Sequence, residues 1–359
     1  MRATFVCEGW VGHTAFARRI EEVAAGRSEL DARCVLLTPE PQGVLEHLPP
    51  FSRIWTARAS LRTRRLLDRS DSVPDALFFN TVAPALLSRR WLRRVPSVIC
   101  LDATPANVDE MGAGYGHGVG PAPLEAAKTR LYRAVLSEAV AVVAWSEWAK
   151  RSLVADYGLD PDRVSVHPPG APLDRFQARP RPKSDRVRIL FVGGDFVRKG
   201  GPELLRAFEA LPAHCRLDVV TTGEVEGTDR VHVHRGLGPD DPALVRLFEE
   251  ADIFALPTRA DTWGLAVAEA MAAGLPVVTT AVGAVPELVT DGVQGLVVPP
   301  GDAAALTGAL LRLVDDEALR ARLGAAGRQR AVESLDGRAN MGRIVDLVVE
   351  AGRRPMVSR

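Results

Sequence analysis

Cysteine, lysine and long apolar runs are scarce in this 359-residue sequence, and each shortage excludes a class of protein. The four cysteines, Cys7, Cys34, Cys100 and Cys215, form no CxxC pair, which argues against thiol chemistry and favours a reducing cytoplasm. No stretch of about 18 apolar residues occurs, and Glu8 interrupts the first apolar run before a signal-peptide core develops. We therefore expect a cytoplasmic protein without a transmembrane segment and with at most peripheral membrane contact.

Charge of one sign is not in excess either. Lysine plus arginine and aspartate plus glutamate number 45 each, so the overall charge gives no reason to expect a nucleic-acid partner. Between Arg53 and Arg94, however, ten arginines face three aspartates. Two interpretations of this basic segment stay open: an ordinary solvated surface, which an arginine-rich composition favours, or a surface for an anionic acceptor or a membrane.

Short β-branched runs alternate with helical patterns through both halves of the sequence. This alternation predicts an α/β protein with two doubly wound parallel sheets. Between the halves, QARPRPKSDR is proline-rich and charged, as linkers are. We predict an N-terminal domain over residues 1–172, a linker over 173–186, a C-terminal domain over 187–335, and a final helix over 336–359 that packs across the domain junction. Two such domains would face a cleft, with ligands at the carboxyl ends of the strands.

One carboxylate stands out in the apolar run DTWGLAVAEAMAAGLPVV, residues 261–278. Glu269 is its single charged side chain after the initial aspartate, and apolar residues surround it on every side of a helical wheel. A helix that is apolar all round is normally buried, and a buried carboxylate without partners costs several kcal/mol. Glu269 is therefore a candidate for binding vicinal hydroxyls of a ligand, as an acidic residue does for ribose in dinucleotide-binding folds.

The start of the same helix is a candidate phosphate site. Asp261 and Thr262 are residue types that cap helices, so we expect them to begin this one. The amides of Trp263, Gly264 and Leu265 would then lie in the first turn, where a phosphate gains both hydrogen bonds and the helix dipole.

A second strand-to-helix turn carries a lysine. In FVGGDFVRKGGPELLRAF, a strand is followed by a loop with Lys199 and then by an amphipathic helix. A lysine beside free amides at a helix start makes an anion site. Only four lysines occur against forty-one arginines, so an arbitrary surface cation here would be arginine. The spacing is not that of a P-loop, and Lys199 is predicted to bind an anion in another way.

Other polar features of the sequence carry less information. Glu287 follows a Gly-x-x-Pro turn, where a ligand role and a stabilising position at a helix start are equally open. The pair Asp160 and Asp162 in GLDPDRV is interpreted as a capping turn and not as a metal site. His232 and His234 alternate along a strand, and two histidines do not make a metal site. No metal is predicted.

The first half contains two segments that combine glycine and histidine. In CEGWVGHTAF, Gly12 would let the backbone approach donor phosphates and His13 would lie near an acceptor, although a water-exposed histidine at a helix start is an equal alternative. The segment YGHGVG, residues 115–120, is interpreted as a mobile loop on the acceptor side.

Three segments together resemble a known family. ILFVGGDFVRKGGPELLRAFEAL, the stretch from Leu247 to Asp302 and the stretch AVVAWSEWAK onward to Phe176 are similar to the family 4 (group 1) retaining glycosyltransferases of the GT-B fold. The likeness covers about residues 139–335, where several motifs recur in order, and it is faint before residue 139. It implies two Rossmann-like parallel-sheet domains facing a cleft, the first on the acceptor side and the second binding a nucleotide-diphosphate sugar.

The resemblance also implies roles for individual residues. Lys199 would bind the donor diphosphate, and Asp261 the sugar hydroxyls. The amides of Gly264 and Leu265 would bind phosphate, and Glu269 the ribose. In this fold no metal or other cofactor is needed, and the nucleotide sugar is a co-substrate; lysine and the helix start stabilise the developing charge of the leaving diphosphate.

The sequence departs from the family at three places. Asp261 stands where the family has the first of two glutamates. Gly194, next to Gly193, stands where the family usually has arginine, and Arg198 could substitute for it. Asp102, at the end of the strand in SVICLD, stands near the position of a family histidine and is our candidate for a contact to the donor sugar. The other predicted donor-binding residues are Gly12, Gly193, Gly194, Arg198, Trp263 and Glu287.

These observations predict a hexosyltransferase-type enzyme. It would move a sugar, with retention, from a UDP- or GDP-sugar to a hydroxyl of a small-molecule, glycan or lipid-linked acceptor. Two alternatives stay open: other chemistry on the same fold, such as a sugar-nucleotide epimerase or a pseudo-glycosyltransferase, and a degenerate, non-catalytic nucleotide-sugar binding protein.

Overall fold

The computed structural model describes residues 1–359 except 10, 43, 50–53, 116–119, 179–183 and 355–359. Its contacts divide the chain into two compact units. The first unit comprises Met1–Asp109, Gly118–Pro169 and Arg338–Arg359, and the second comprises Glu110–His117 and Gly170–Gly337. The predicted boundaries at 172, 186 and 335 stay a prediction.

The first unit is built on a parallel sheet. Its described strands are β1 (Arg2–Glu8), β2 (Asp31–Leu37), β3 (Ala76–Asn80), β4 (Ser97–Leu101), β5 (Ala141–Ala144) and β6 (Val164–Val166), in the spatial order β2-β1-β3-β4-β5-β6. The helices over the same part of the chain are α1 (Val11–Ala25), α2 (Trp55–Asp68), α3 (Arg89–Arg94), α4 (Pro105–Glu110), α5 (Ala122–Leu136) and α6 (Glu147–Ala155). Strands β3 and β4 are buried at every position, as expected for a parallel sheet covered on both faces.

The second unit repeats this architecture. Its described strands are β7 (Val187–Val192), β8 (Cys215–Val220), β9 (Val231–His234), β10 (Ile253–Leu256), β11 (Val277–Thr280) and β12 (Gly295–Val298), in the order β12-β11-β10-β7-β8-β9. Its helices are α7 (Gly201–Glu209), α8 (Pro242–Glu250), α9 (Leu265–Ala272), α10 (Ala303–Asp315) and α11 (Glu317–Ser334). Two doubly wound parallel sheets confirm the fold class predicted from the alternation of apolar runs.

The order of the strands reverses once in each sheet. In the first sheet the reversal lies between β1 and β3, and in the second it lies between β7 and β10. Both pairs are hydrogen-bonded in parallel, with Val6 opposite Phe79 and Ile253 opposite Ile189. Open α/β sheets bind ligands outside the carboxyl ends of the strands at such a reversal, so these two places are where site residues are expected.

The last helix, α12 (Gly337–Arg353), packs on the first unit. Arg27 Nη2 lies 2.6 Å from Asp346 Oδ1 on this helix. Gly352 approaches Met1 so closely that a Cβ there would overlap the methionine side chain. Whether α12 also packs across the domain junction stays a prediction.

One smaller prediction is confirmed. Asp160 Oδ1 accepts a hydrogen bond from the Asp162 amide at 3.0 Å, so this acidic pair forms a capping turn. His234 Nε2 lies 2.8 Å from Asp218 Oδ1, and its neighbour His232 makes a weak contact with a backbone carbonyl; neither joins a group of metal-binding side chains in the described residues. Among the described helices, none is both long and apolar enough to cross a bilayer. Residues 116–119 of the predicted mobile loop lie outside the described residues.

Candidate active site

The strand reversal of the second sheet brings Lys199 and Asp261 together. Lys199 lies in the turn after β7 and Asp261 in the loop after β10, and these strands are neighbours. Lys199 Nζ donates a hydrogen bond to Asp261 Oδ2 at 2.5 Å. The side chains are 15% and 8% exposed, respectively, so this ion pair is largely withdrawn from water.

Close backbone contact fixes the two loops against each other. Gly200, directly after the lysine, has a φ of 79°, and a Cβ there would overlap the carbonyl oxygen of Pro257. The Arg259 amide donates to the Arg198 carbonyl at 2.9 Å. Only glycine tolerates both the left-handed backbone and this approach, so Gly200 sets the position of Lys199.

The electrostatics of Lys199 favour an anionic ligand. Burial lowers the pKa of its ammonium group below the ordinary value, and Asp261 opposes this shift. The positive charge of Arg198 acts on the pKa of Lys199 in the same direction as burial. Asp261 lies next to Lys199 and the more exposed Asp195 next to Arg198, so a diphosphate could replace part of these contacts with the two neighbouring cations.

Helix α9 begins at Leu265, so the predicted cap at Asp261 and Thr262 was wrong, and Trp263 and Gly264 precede the first turn. Its N-cap is Gly264, with a φ of 93° and no side-chain cap, because the Asp261 carboxylate is engaged by Lys199 instead. The helix start therefore keeps amides for an anion. Trp263 is 2% exposed, so any donor contact from this residue would come from its backbone. Leu265 is half-buried at the first helical position.

Glu269 lies inside α9, as its surroundings predicted. It is 8% exposed, and its neighbours Ala268 and Ala270 are fully buried. It stands four residues after Leu265, or about 6 Å along the helix axis. A ligand with a phosphate at the start of α9 could therefore place a hydroxylated ring beside this carboxylate.

Three other predicted donor-binding residues, Gly193, Gly194 and Arg198, lie in the turn that carries Lys199. Gly193 leaves room for Lys199, whose Cβ and Cγ would lie 2.9 Å from a Cβ at that glycine. The Gly194 carbonyl accepts hydrogen bonds from the hydroxyls of Thr221 and Thr222 at 3.1 and 2.7 Å. Arg198 Nη1 donates to the Ala260 carbonyl at 2.9 Å, so this arginine reaches the loop that carries Asp261.

Glu287 has a different local structure from the one expected. It is the last residue of a single 3-10 turn, Val285–Glu287, and is half-buried. A turn this short has little dipole to stabilise a carboxylate, which weakens the helix-start explanation of this residue. Its role as a donor contact stays a prediction.

In the first unit, the structure brings His13 and Asp102 together. His13 Nε2 lies 3.7 Å from Asp102 Oδ2, with the side chains 16% and 17% exposed. The His13 ring packs against Trp145, with ring centroids 5.4 Å apart. His13 is thus not a water-exposed residue at the start of α1, whereas its neighbour Gly12 is exposed there.

Glu8 belongs to the same group, and sequence reasoning missed it. It ends β1 at 6% exposure, and its Oε1 accepts a hydrogen bond from Trp55 Nε1 at 3.0 Å. Burial raises the pKa of Glu8; the nearby His13 lowers it and Asp102 raises it further. The signal in the sequence was a glutamate at the end of the first strand-like run, ATFVCEG.

The adjacent end of β3 is strained and polar. Thr81 has a φ of 75°, which is costly for a β-branched residue, and its amide donates to the Cys100 carbonyl at 2.6 Å. Asn80 is fully buried, and neither polar atom of its side chain has a hydrogen-bond partner in the part of the chain that the structure describes. Strain and unsatisfied polar groups cluster at functional sites, so the reversal of the first sheet is a second candidate site.

Comparison with known proteins agrees with this geometry. Residues 17–175 match the family model described as Glycosyltransferase Family 4, and residues 186–316 match the one described as Glycosyl transferases group 1. A D-inositol 3-phosphate glycosyltransferase of Arthrobacter sp. (strain FB24) is 30% identical over 312 residues, which span 80% of this chain and 72% of the relative. The chain belongs to the family 4 glycosyltransferases. It spans only about half the length of several other curated relatives it matches.

Solved structures confirm the GT-B fold. Sucrose-phosphate synthase from Thermosynechococcus elongatus superposes with a TM-score of 0.76 at 18% identity, over 98% of each chain. The Anabaena protein HepE, solved in complex with UDP-glucose, superposes with a TM-score of 0.71 at 17% identity, over 98% of this chain and all of that one. At these identities the likeness concerns the fold alone.

Part of the basic segment between Arg53 and Arg94 is paired with carboxylates. Five of its arginines contact carboxylates in the described residues: Arg62 with Glu46, Arg64 and Arg90 with Asp68, and Arg89 and Arg93 with Glu138. Five arginines that share three carboxylates keep a net positive charge, so both interpretations of the basic segment stay predictions.

Proposed function

We propose that this family 4 glycosyltransferase transfers a sugar from a nucleotide-diphosphate sugar to a hydroxyl acceptor, with retention of configuration and without a metal. The observation that carries the proposal is the Lys199–Asp261 pair, 2.5 Å apart beside the start of α9, with Glu269 on the same helix. These groups match the three parts of such a donor: diphosphate, sugar and ribose.

Each group has a chemical task on the donor. Lys199 and the first amides of α9 would hold the diphosphate and stabilise the charge that develops as it leaves. Asp261 would exchange part of its contact with the lysine for the hydroxyls of the sugar. Glu269 would accept hydrogen bonds from the ribose. Because the cations and helix amides can neutralise the leaving group, the reaction is expected to proceed without a divalent metal.

The nucleotide is proposed to be UDP or GDP. HepE, a fold neighbour, was solved with UDP-glucose, which supports UDP without extending to this chain's own specificity. The base would lie beyond the ribose, away from the Lys199–Asp261 pair.

The acceptor is proposed to present uncharged hydroxyls to the first unit. Glu8 ends β1 at the strand reversal, and Asp102 follows β4 and lies 3.7 Å from His13. Such carboxylates accept hydrogen bonds from hydroxyls and repel phosphate. The contact of Asp102 with the donor sugar stays a prediction beside this one. Curated relatives are named for D-inositol 3-phosphate, so a phosphorylated polyol is the alternative that a direct comparison should test.

The four free cysteines support a cytoplasmic location for the reaction.

The test is a transfer assay with UDP- and GDP-hexoses in the presence of EDTA. Acceptors would include inositol, D-inositol 3-phosphate and simple hexoses, and nuclear magnetic resonance would give the anomeric configuration of the product. A product that keeps the configuration of the donor, formed without metal, is expected. An inverted product or strict dependence on a metal would contradict the proposal. Tight donor binding without turnover of any donor would favour the non-catalytic alternative.

A further inference from the structure

A short segment from the first half of the sequence belongs to the second unit. Residues Glu110–His117 group with that unit, and Gly112–Tyr115 form a 3-10 turn within it. Gly114 packs so closely on the loop after β10 that a Cβ there would lie 2.5 Å from the Cβ of Ala260 and 3.4 Å from the Arg259 carbonyl oxygen. The turn therefore rests directly on the loop that carries Asp261.

The last residue of this turn contacts Arg198. The Arg198 guanidinium carbon lies 4.8 Å from the centroid of the Tyr115 ring, within the range of a cation–π interaction. Two further contacts hold the same guanidinium: Nη1 donates to the Ala260 carbonyl at 2.9 Å, and Nε lies 3.3 Å from Asp195 Oδ2. Arg198 is thus fixed by a ring, a carbonyl and a carboxylate at once.

This fixed position matters because Arg198 stands beside Lys199. The two cations are consecutive in the chain, and Arg198 acts on Lys199 electrostatically. Like charges held together at the start of a helix are stabilised by a shared anion. An arginine whose orientation is already fixed loses little side-chain entropy when that anion binds.

We propose that Tyr115 is a positioning residue of the donor site: its ring holds the Arg198 guanidinium in the orientation that binds the donor diphosphate. The inference rests on the proposed function, since it takes the ligand of Lys199 to be a nucleoside diphosphate. It assigns a role in donor binding to a residue that lies far from the donor motifs in the sequence.

The experiment is a calorimetric titration of Tyr115→Ala and Tyr115→Phe with UDP, GDP, UMP and GMP. Phenylalanine keeps the ring and is expected to bind like the wild type. Alanine is expected to weaken binding of the preferred diphosphate about 10-fold, as the loss of a partly desolvated cation–π contact would. Binding of the matching monophosphate should change less than about 2-fold, because a single phosphate makes less use of Arg198.

A double-variant comparison separates positioning from a general structural effect. In an Arg198→Ala background, Tyr115→Ala should cause no further loss of diphosphate affinity. Equal losses for mono- and diphosphate, or a full additional loss in the Arg198→Ala background, would overturn the inference. Normal diphosphate binding by Tyr115→Ala would overturn it alone and leave the proposed function intact. A wild-type protein that binds no nucleotide would reject both.

Discussion

The Lys199–Asp261 pair gives a quantitative prediction for the variant Lys199→Met. The substitution keeps the length of the side chain but leaves the Asp261 carboxylate, 8% exposed, without the partner that lies 2.5 Å away. Breaking a buried ion pair on one side costs about 3–5 kcal/mol. Because Lys199 keeps 15% exposure and water can reach the remaining carboxylate, we expect the lower end, about 3 kcal/mol.

Hydrogen exchange measured by mass spectrometry would report this loss within the second unit. Amides of β10 and α9 that exchange through unfolding of the unit should do so about 100-fold faster, which corresponds to about 3 kcal/mol. The double variant Lys199→Met/Asp261→Leu should recover most of the protection, because it removes both charges. Lys150→Met, in α6 of the first unit, is the matched control. Unchanged exchange in Lys199→Met, or a double variant as labile as the single one, would refute the reasoning.

Three further predictions follow from individual residues. Glu269→Ala should weaken nucleotide binding more than it slows transfer; an unchanged donor Kd with a normal fold would remove the ribose assignment. Gly200→Ala should destabilise the protein by about 2 kcal/mol or more, because alanine is strained at a φ of 79° and its Cβ meets Pro257; an unaltered Tm would contradict this. Burial raises the pKa of Glu8, so folding binds a proton and the free energy of unfolding falls as pH rises from about 4.5. Glu8→Gln should therefore be about 1 kcal/mol more stable than the wild type at pH 7, and urea unfolding should show this difference vanishing near pH 4. A difference that stays constant with pH would contradict the assignment.

The elements of the fold could be predicted because they follow from local patterns. The apolar runs of β1, β3, β4 and β10 became buried strands, and the isolated Glu269 in an apolar helix was found buried, as its neighbours required. Lys199 was predicted to be functional because lysine is rare in this sequence and because this one directly precedes a helix. These signals lie within one element and need no knowledge of distant contacts.

The partners of these residues could not be predicted in the same way. Lys199 and Asp261 are 62 positions apart, and only the pairing of β7 with β10 makes them neighbours. The predicted helix cap at Asp261 was wrong for this reason: its carboxylate forms an ion pair with the distant Lys199 and does not accept a hydrogen bond from the start of α9. Glu8 was missed because the polar groups around it, on Trp55, His13 and Asp102, come from separate parts of the sequence.

The most direct test of the central claim is calorimetric titration of the purified protein with UDP, GDP, ADP and TDP, with and without magnesium. The donor site at Lys199 and Glu269 predicts that one of these nucleotides binds in the micromolar range without metal, and that Lys199→Ala abolishes most of that affinity. Absence of binding by all four, or binding that Lys199→Ala leaves unchanged, would contradict the account.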